Sequence, residues 1–221
     1  MNHSTTINAE DVMSQLLRHR TMMPRFKMPF ELGMVETYLI GAIQAEVRFR
    51  QRNFVFNDSL KEQIHKMAIW LTNDSSKFGM LLCGGCGNGK STMMNAFQHL
   101  LNLLQIQNPI TRTSYGMRII DAKSIAYLYK SNINSWNNLA KAEMLAIDDL
   151  GIEPLELLDY GNVISPVIDL LTRRYEEQLF TVITTNLTPP EISARYGERI
   201  ADRLREMMEK ISFTNESYRS L

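Results

Sequence analysis

Gly84, Gly85, Cys86, Gly87, Asn88, Gly89, Lys90 and Ser91 are the residues whose order most directly implies chemistry. They fit the spacing G-x-x-x-x-G-K-[ST], the phosphate-binding P-loop. Glycines allow positive φ and close backbone approach, so successive N–H groups can face one anion. Lys90 would reach the β- and γ-phosphates of a nucleotide, and the Ser91 hydroxyl, followed by Thr92, would sit on Mg²⁺. A second constellation follows an apolar run over residues 144–147, which ends in Asp148 and Asp149. This is the Walker B pattern: a buried strand delivers Asp148 to hold Mg²⁺ through water, and Asp149 polarises an attacking water. Two Asp residues before Gly151 could also simply form a turn, and the P-loop upstream is what gives the pair its meaning. The third is the β-branched run 181–185 with Asn186 at its end, placed to orient water or touch a γ-phosphate.

These groups converge only if the right elements carry them. Residues 80–83 read as a buried strand before the loop. Met93, Met94, Phe97, Leu100, Leu101 and Leu104 recur at helical spacing after it. A helix starting at the loop adds free N–H groups and a favourable dipole for phosphate. Further strands are expected at 117–120, 144–147, 180–184 and 211–213. Helices are expected at 122–130, 163–177, from Pro189 or Pro190 onward, and at 198–208. Strands alternating with helices imply a parallel sheet covered on both faces, an α/β fold. Ahead of it, helices are expected at about 10–19, 35–52 and 58–71, with Asn8 as the first N-cap. This divides the chain into a helical region over 1–76 and a nucleotide domain over 77–221.

Lysine plus arginine and aspartate plus glutamate both number 24, so global charge points neither to nucleic acid nor to a lipid surface. The stretch 18–52 is locally basic, which suits contact with nucleic acid or an acidic partner, or equally a solvated helical face. No apolar run approaches the ~20 residues that span a bilayer. The first eleven residues lack a signal-peptide pattern, so a cytoplasmic protein is expected. The two cysteines, Cys83 and Cys86, have no second pair to complete a zinc site and read as structural, with oxidation of Cys86 as a possible block to nucleotide binding.

Taken in order, the P-loop, Leu-Ala-Ile-Asp-Asp-Leu-Gly (145–151), Thr-Thr-Asn (184–186), Tyr-Gly-Glu-Arg-Ile-Ala-Asp-Arg (196–203) and Ser-Tyr-Arg-Ser (217–220) resemble the AAA+ ATPases of the DnaC/DnaI helicase-loader and IstB transposition-helper group. The resemblance covers residues 78–221. It implies an AAA+ (ASCE) P-loop NTPase sheet flanked by helices, ATP with Mg²⁺, and a nucleotide-dependent homo-oligomer. Within it Asn186 looks like sensor 1, Arg199 and Arg203 like the box VII arginines, one of them an arginine finger, and Arg219 like the sensor 2 arginine. Arg199, Arg203 and Arg205 could instead pair with Asp202, Glu206 and Glu209 along an exposed helix. Asp149 stands where many AAA+ chains have Glu, which suits a slow, switch-like ATPase. In this group an inserted helical element at 121–142 contacts single-stranded DNA, and here it offers Lys123, Tyr127, Tyr129, Lys130 and Trp136.

Two functional expectations follow from the resemblance. One is a loader that delivers a replicative helicase to single-stranded DNA, with the amphipathic first helix as a docking handle. The other is an IstB-like ATPase that binds DNA and regulates a transposase. A small-molecule kinase would need an acceptor-binding lid that the sequence does not suggest.

Overall fold

The computed structural model describes residues 8–18, 25–75, 77–159 and 161–218. Three helices open it: α1 (Ala9–Arg18), α2 (Leu32–Phe49) and α3 (Asp58–Thr72). Strand β1 (Gly79–Gly84) and helix α4 (Lys90–Leu104) flank the glycine loop. Then come β2 (Arg118–Asp121), α5 (Ala122–Ser131), α6 (Ile133–Ala140), β3 (Met144–Leu150), β4 (Leu157–Asp159) and β5 (Asn162–Ile164). The chain continues through α7 (Pro166–Glu176), β6 (Phe180–Thr185), α8 (Pro189–Tyr196), α9 (Glu198–Met207) and β7 (Met208–Phe213).

Five strands form one parallel sheet in the order β2-β3-β6-β1-β7. Side chains of a strand alternate between faces, and here both faces are covered, so the central strands carry continuous apolar runs. Met80 and Leu82 of β1, Ala146 of β3 and Val182 of β6 enter one core with α2, α3 and α4. Leu81, Leu145, Ile147 and Ile183 enter the other core with helices α5 to α9. The first core also holds Phe26, Trp70, Phe97 and Phe180, whose rings meet at 5.2–6.5 Å. Helices α2 and α3 are thus built onto the sheet.

Polar side chains set the helix starts where the sequence places them. Asn8 accepts from Asp11 N at 2.8 Å, Asn57 from Leu60 N at 2.9 Å, and Asp121 from Ser124 N at 2.8 Å. Two segments differ from expectation. The helix expected over 163–177 begins only at Pro166, because residues 162–164 pair antiparallel with 157–159 in a hairpin. Proline suits a helix's first turn and not its interior, which fixes that boundary. Helix α6, which no separate signal predicted, is capped by Asn132 accepting from Ser135 N at 2.9 Å. Arg174 of α7 is fully buried and ties these parts together. It donates to Ala140 O, Ala142 O, Phe180 O and Thr181 Oγ1 at 2.6–3.1 Å. Among the described residues no helix is long and apolar enough to cross a membrane.

Candidate nucleotide site

The glycine loop joins the carboxyl end of β1 to the N-terminus of α4. Gly89 is the N-cap of α4 at φ +102°, a conformation costly for any residue with a Cβ. Lys90 then enters the helix with its side chain turned back over the loop. Its ammonium donates to Gly84 O (2.9 Å), Gly85 O (2.7 Å), Asn88 Oδ1 (3.2 Å) and Asn186 Oδ1 (2.8 Å). Burial lowers the Lys90 pKa, while Cys86, Asp149, Asp148 and Cys83 pull it back up. The lysine of the P-loop and the asparagine at the end of β6 therefore meet, as their positions in the sequence suggest.

The Ser91 hydroxyl donates to Asp148 Oδ1 at 2.8 Å, and the Thr184 hydroxyl donates to the same oxygen at 2.5 Å. Thr184 Oγ1 in turn accepts from Asp149 N at 2.9 Å. The β3–β6 register shifts between Ile147 and Leu150, and Asp149 lies at φ +53° inside that irregularity. A hydroxyl beside a carboxylate is a hard-oxygen set that fits Mg²⁺ when nucleotide phosphates complete the shell. Among the described residues no three His, Cys, Asp or Glu side chains cluster as a metal site.

A cavity of about 780 Å³ opens over the loop and is lined by Cys86 to Met93, Asp149 and Asn186. Its other wall comes from the α2–α3 corner, with Arg50, Arg52, Phe54 and Val55, and from Tyr218. Sequence reasoning missed this wall. The only signals were Arg50 and Arg52 in the basic stretch and Tyr218 within the Ser-Tyr-Arg run. Tyr218 N donates to Gly87 O at 2.9 Å, and its ring lies against Gly89. Arg219, read as sensor 2, lies outside the described residues. The Asn88 side chain is spent on the fold, donating to Phe213 O at 2.7 Å. Cys86 is exposed and Cys83 buried, both as free thiols.

The remaining candidates lie apart from this cavity. Arg199 and Arg203 are on α9 and do not line it. Arg203 is engaged: its guanidinium covers the Tyr175 ring at 4.9 Å and approaches Glu176 Oε1 at 3.3 Å. Arg205 pairs with Glu198 and Asp202. Arg199 is exposed and has no partner among the described residues. On α5, Lys123, Tyr127 and Lys130 are exposed at positions i, i+4 and i+7, one helical face. Trp136 corrects the expectation for this segment. It is buried, with Tyr129 edge-on at 5.1 Å, so it is not available to stack on a base.

The model of the IstB-like ATP binding protein family matches residues 4–221. Among solved structures, the DnaC helicase loader superposes with a TM-score of 0.56 at 21% identity, covering 73% of this chain and 94% of that one. DnaI gives 0.56 at 18% identity, covering 79% and 93%. The replication initiator DnaA bound to AMPPCP and single-stranded DNA gives 0.53 at 14% identity, covering 74% of this chain and 49% of that one. At these identities the likeness to solved structures is one of fold, the parallel P-loop AAA+ sheet flanked by helices. No curated protein sequence matches the chain.

Proposed function

The chain belongs to the IstB-like ATP-binding protein family, and from that premise we propose that it is an ATP-hydrolysing switch that loads a replicative helicase onto single-stranded DNA. The observation that carries the ATPase reading is the meeting of Lys90, Ser91, Asp148, Asp149 and Asn186 around one cavity. In this reading the loop N–H groups and Lys90 hold the β- and γ-phosphates, and Asn186 orients water beside them. Asp149 takes a proton from that water as its oxygen bonds to the γ-phosphorus and the bond to the β-phosphate oxygen breaks. Mg²⁺, held by Ser91 and through water by Asp148, would neutralise charge on the phosphates. Arg199 is the better finger, since it is unpaired and exposed while Arg203 is held by Tyr175 and Glu176. Its distance from its own cavity suits delivery to a neighbouring copy, where a finger is worth about 10³–10⁵ in rate.

Within the helical region 1–76 the docking role is assigned to α1, since α2 and α3 pack on the ATPase sheet and wall the cavity of the 77–221 domain. The support is α1, whose Val12, Met13 and Leu16 are exposed on one stripe. A ten-residue helix of this kind is marginal alone and gains from a partner groove. Lys123, Tyr127 and Lys130 form a face suited to single-stranded DNA, with lysines for phosphates and an aromatic for a base. The test is affinity capture from host lysate in the presence of ATP, with Lys90→Ala as control. Recovery of a replicative helicase by the parent alone is expected. Recovery of a transposase instead would move the assignment to an IstB-like transposition helper.

A further inference from the structure

Glu153 is buried to 2% exposure and takes no part in the chemistry assigned above. One carboxylate oxygen accepts from Gly151 N at 2.8 Å, in the turn that follows Asp148 and Asp149. The other accepts from the Tyr196 hydroxyl. The Arg195 guanidinium donates to the Glu153 carbonyl and stands 3.9 Å from the carboxylate. Arg195 and Tyr196 end α8. Gly197 then turns the chain into α9, where Arg199 is the second residue.

The turn that receives Glu153 has little freedom. Asp149 is at φ +53° and Gly151 at φ +115°, and a Cβ on Gly151 would lie 2.8 Å from Leu187 Cδ1. The other end is equally fixed, since burial and the Glu153 carboxylate push the Tyr196 phenol far above its ordinary pKa, keeping it a donor. Buried, hydrogen-bonded charges of this kind are costly to disturb on one side only.

We propose that Glu153 is a positioning residue that locks the turn carrying Asp149 to the α8–α9 corner carrying Arg199, so that each copy's own site sets the arginine it presents to the next. The proposal rests on the shared-site reading above. It differs from a purely structural strut in predicting that damage falls on the arginine a subunit donates and not on the site it holds.

The experiment uses full-length protein in mixed assemblies. Tyr196→Phe removes one donor while keeping the ring, and should lower ATP turnover about tenfold, within the range of coupling carried by such networks. Its nucleotide affinity should stay within about twofold of the parent on the same argument. Mixing Tyr196→Phe with Lys90→Ala should restore turnover, because the second subunit lends an intact arginine corner to the first subunit's intact site. Parent-like turnover by Tyr196→Phe, or no restoration in the mixture, overturns the relay. Arg199→Ala mixed with Lys90→Ala is the control. If that pair is not restored either, the shared site itself is wrong and the relay falls with it. Should Tyr196→Phe not fold, Glu153→Gln keeps an acceptor for Gly151 N and must show the same donor-only defect.

Discussion

Replacing Thr184 with Val asks whether a neighbouring strand holds the acidic pair in place. Thr184 is fully buried in β6. Its hydroxyl gives one hydrogen bond to Asp148 and takes one from Asp149 N. Valine keeps the branched shape and strand preference but supplies neither bond. Losing a bond to a carboxylate costs about 1.5–3 kcal/mol, and leaving the Asp149 N–H without an acceptor costs about 1–3 kcal/mol. The two losses share one hydroxyl and do not add in full, so about 2–4 kcal/mol in all is expected. Thr184→Ser keeps the hydroxyl and loses one buried methyl, about 1 kcal/mol. Val should therefore be less stable than Ser by about 1–3 kcal/mol, or roughly 2–12 °C in Tm for a chain of this size. Urea denaturation and ATP turnover would be read on both variants. This bond is one of the contacts that hold Asp149 in its left-handed turn, so turnover should fall further in Val than ATP affinity does. A Val variant as stable and as active as Ser would refute the reasoning, since the hydroxyl would then position nothing.

Arg174→Met takes the guanidinium donor from three carbonyls and from Thr181 Oγ1 in the interior and should destabilise the fold by about 3–5 kcal/mol in urea titration. Arg174→Lys should recover little, because one ammonium cannot span the fork of the guanidinium. Burial lowers the Lys90 pKa, so its charge is complete below that value and lost as pH rises through it. ATP affinity should decline on the alkaline side at a pH below the ordinary lysine value of 10.5, with proton uptake on binding. Calorimetry in buffers of different ionisation heat that finds no proton uptake there would count against it. Gly151→Ala meets both a positive φ and the Leu187 side chain, and should cost about 1–3 kcal/mol in thermal stability. A melting curve unchanged from the parent would show that the turn can relax.

The candidate nucleotide site was legible because phosphate chemistry constrains contiguous residues. A backbone that wraps an anion needs its glycines, lysine and serine in one unbroken order, so residues 84–91 state their purpose alone. Asp148 and Asn186 sit at strand ends that must line up beside the loop, and the unbroken apolar and β-branched runs before them give those strands away. Thr184 was visible only as part of a polar triplet, because its role depends on which strand lies next to β3, a matter of sheet order. The apolar part of the cavity's far wall was not legible. Phe54 and Val55 need only bring apolar area to the right place, and many sequences do that equally well. Trp136 misled for a related reason: an aromatic in a polar helix suits both base stacking and packing on a neighbour, and the ring of Tyr129 decided it.

The same distinction explains why the partner is harder to read than the reaction. Hydrolysis asks for several atoms within about 3 Å of one another, a demand that few arrangements meet and that leaves a motif behind. Docking asks for matched area and charge, which Val12, Met13 and Leu16 on α1 provide without any fixed pattern. The β4–β5 hairpin makes the point sharper. Leu158 and Val163 face each other across it and are both exposed. A two-stranded ribbon with outward apolar residues is weak by itself. It follows directly on Asp149 and Glu153, the residues that join the site to the arginine corner. A surface that close to the turn would feel any rearrangement there. A rearrangement of that turn on ATP binding has a direct route to the α8–α9 corner through Glu153, which bonds Gly151 N on one side and the Tyr196 hydroxyl on the other.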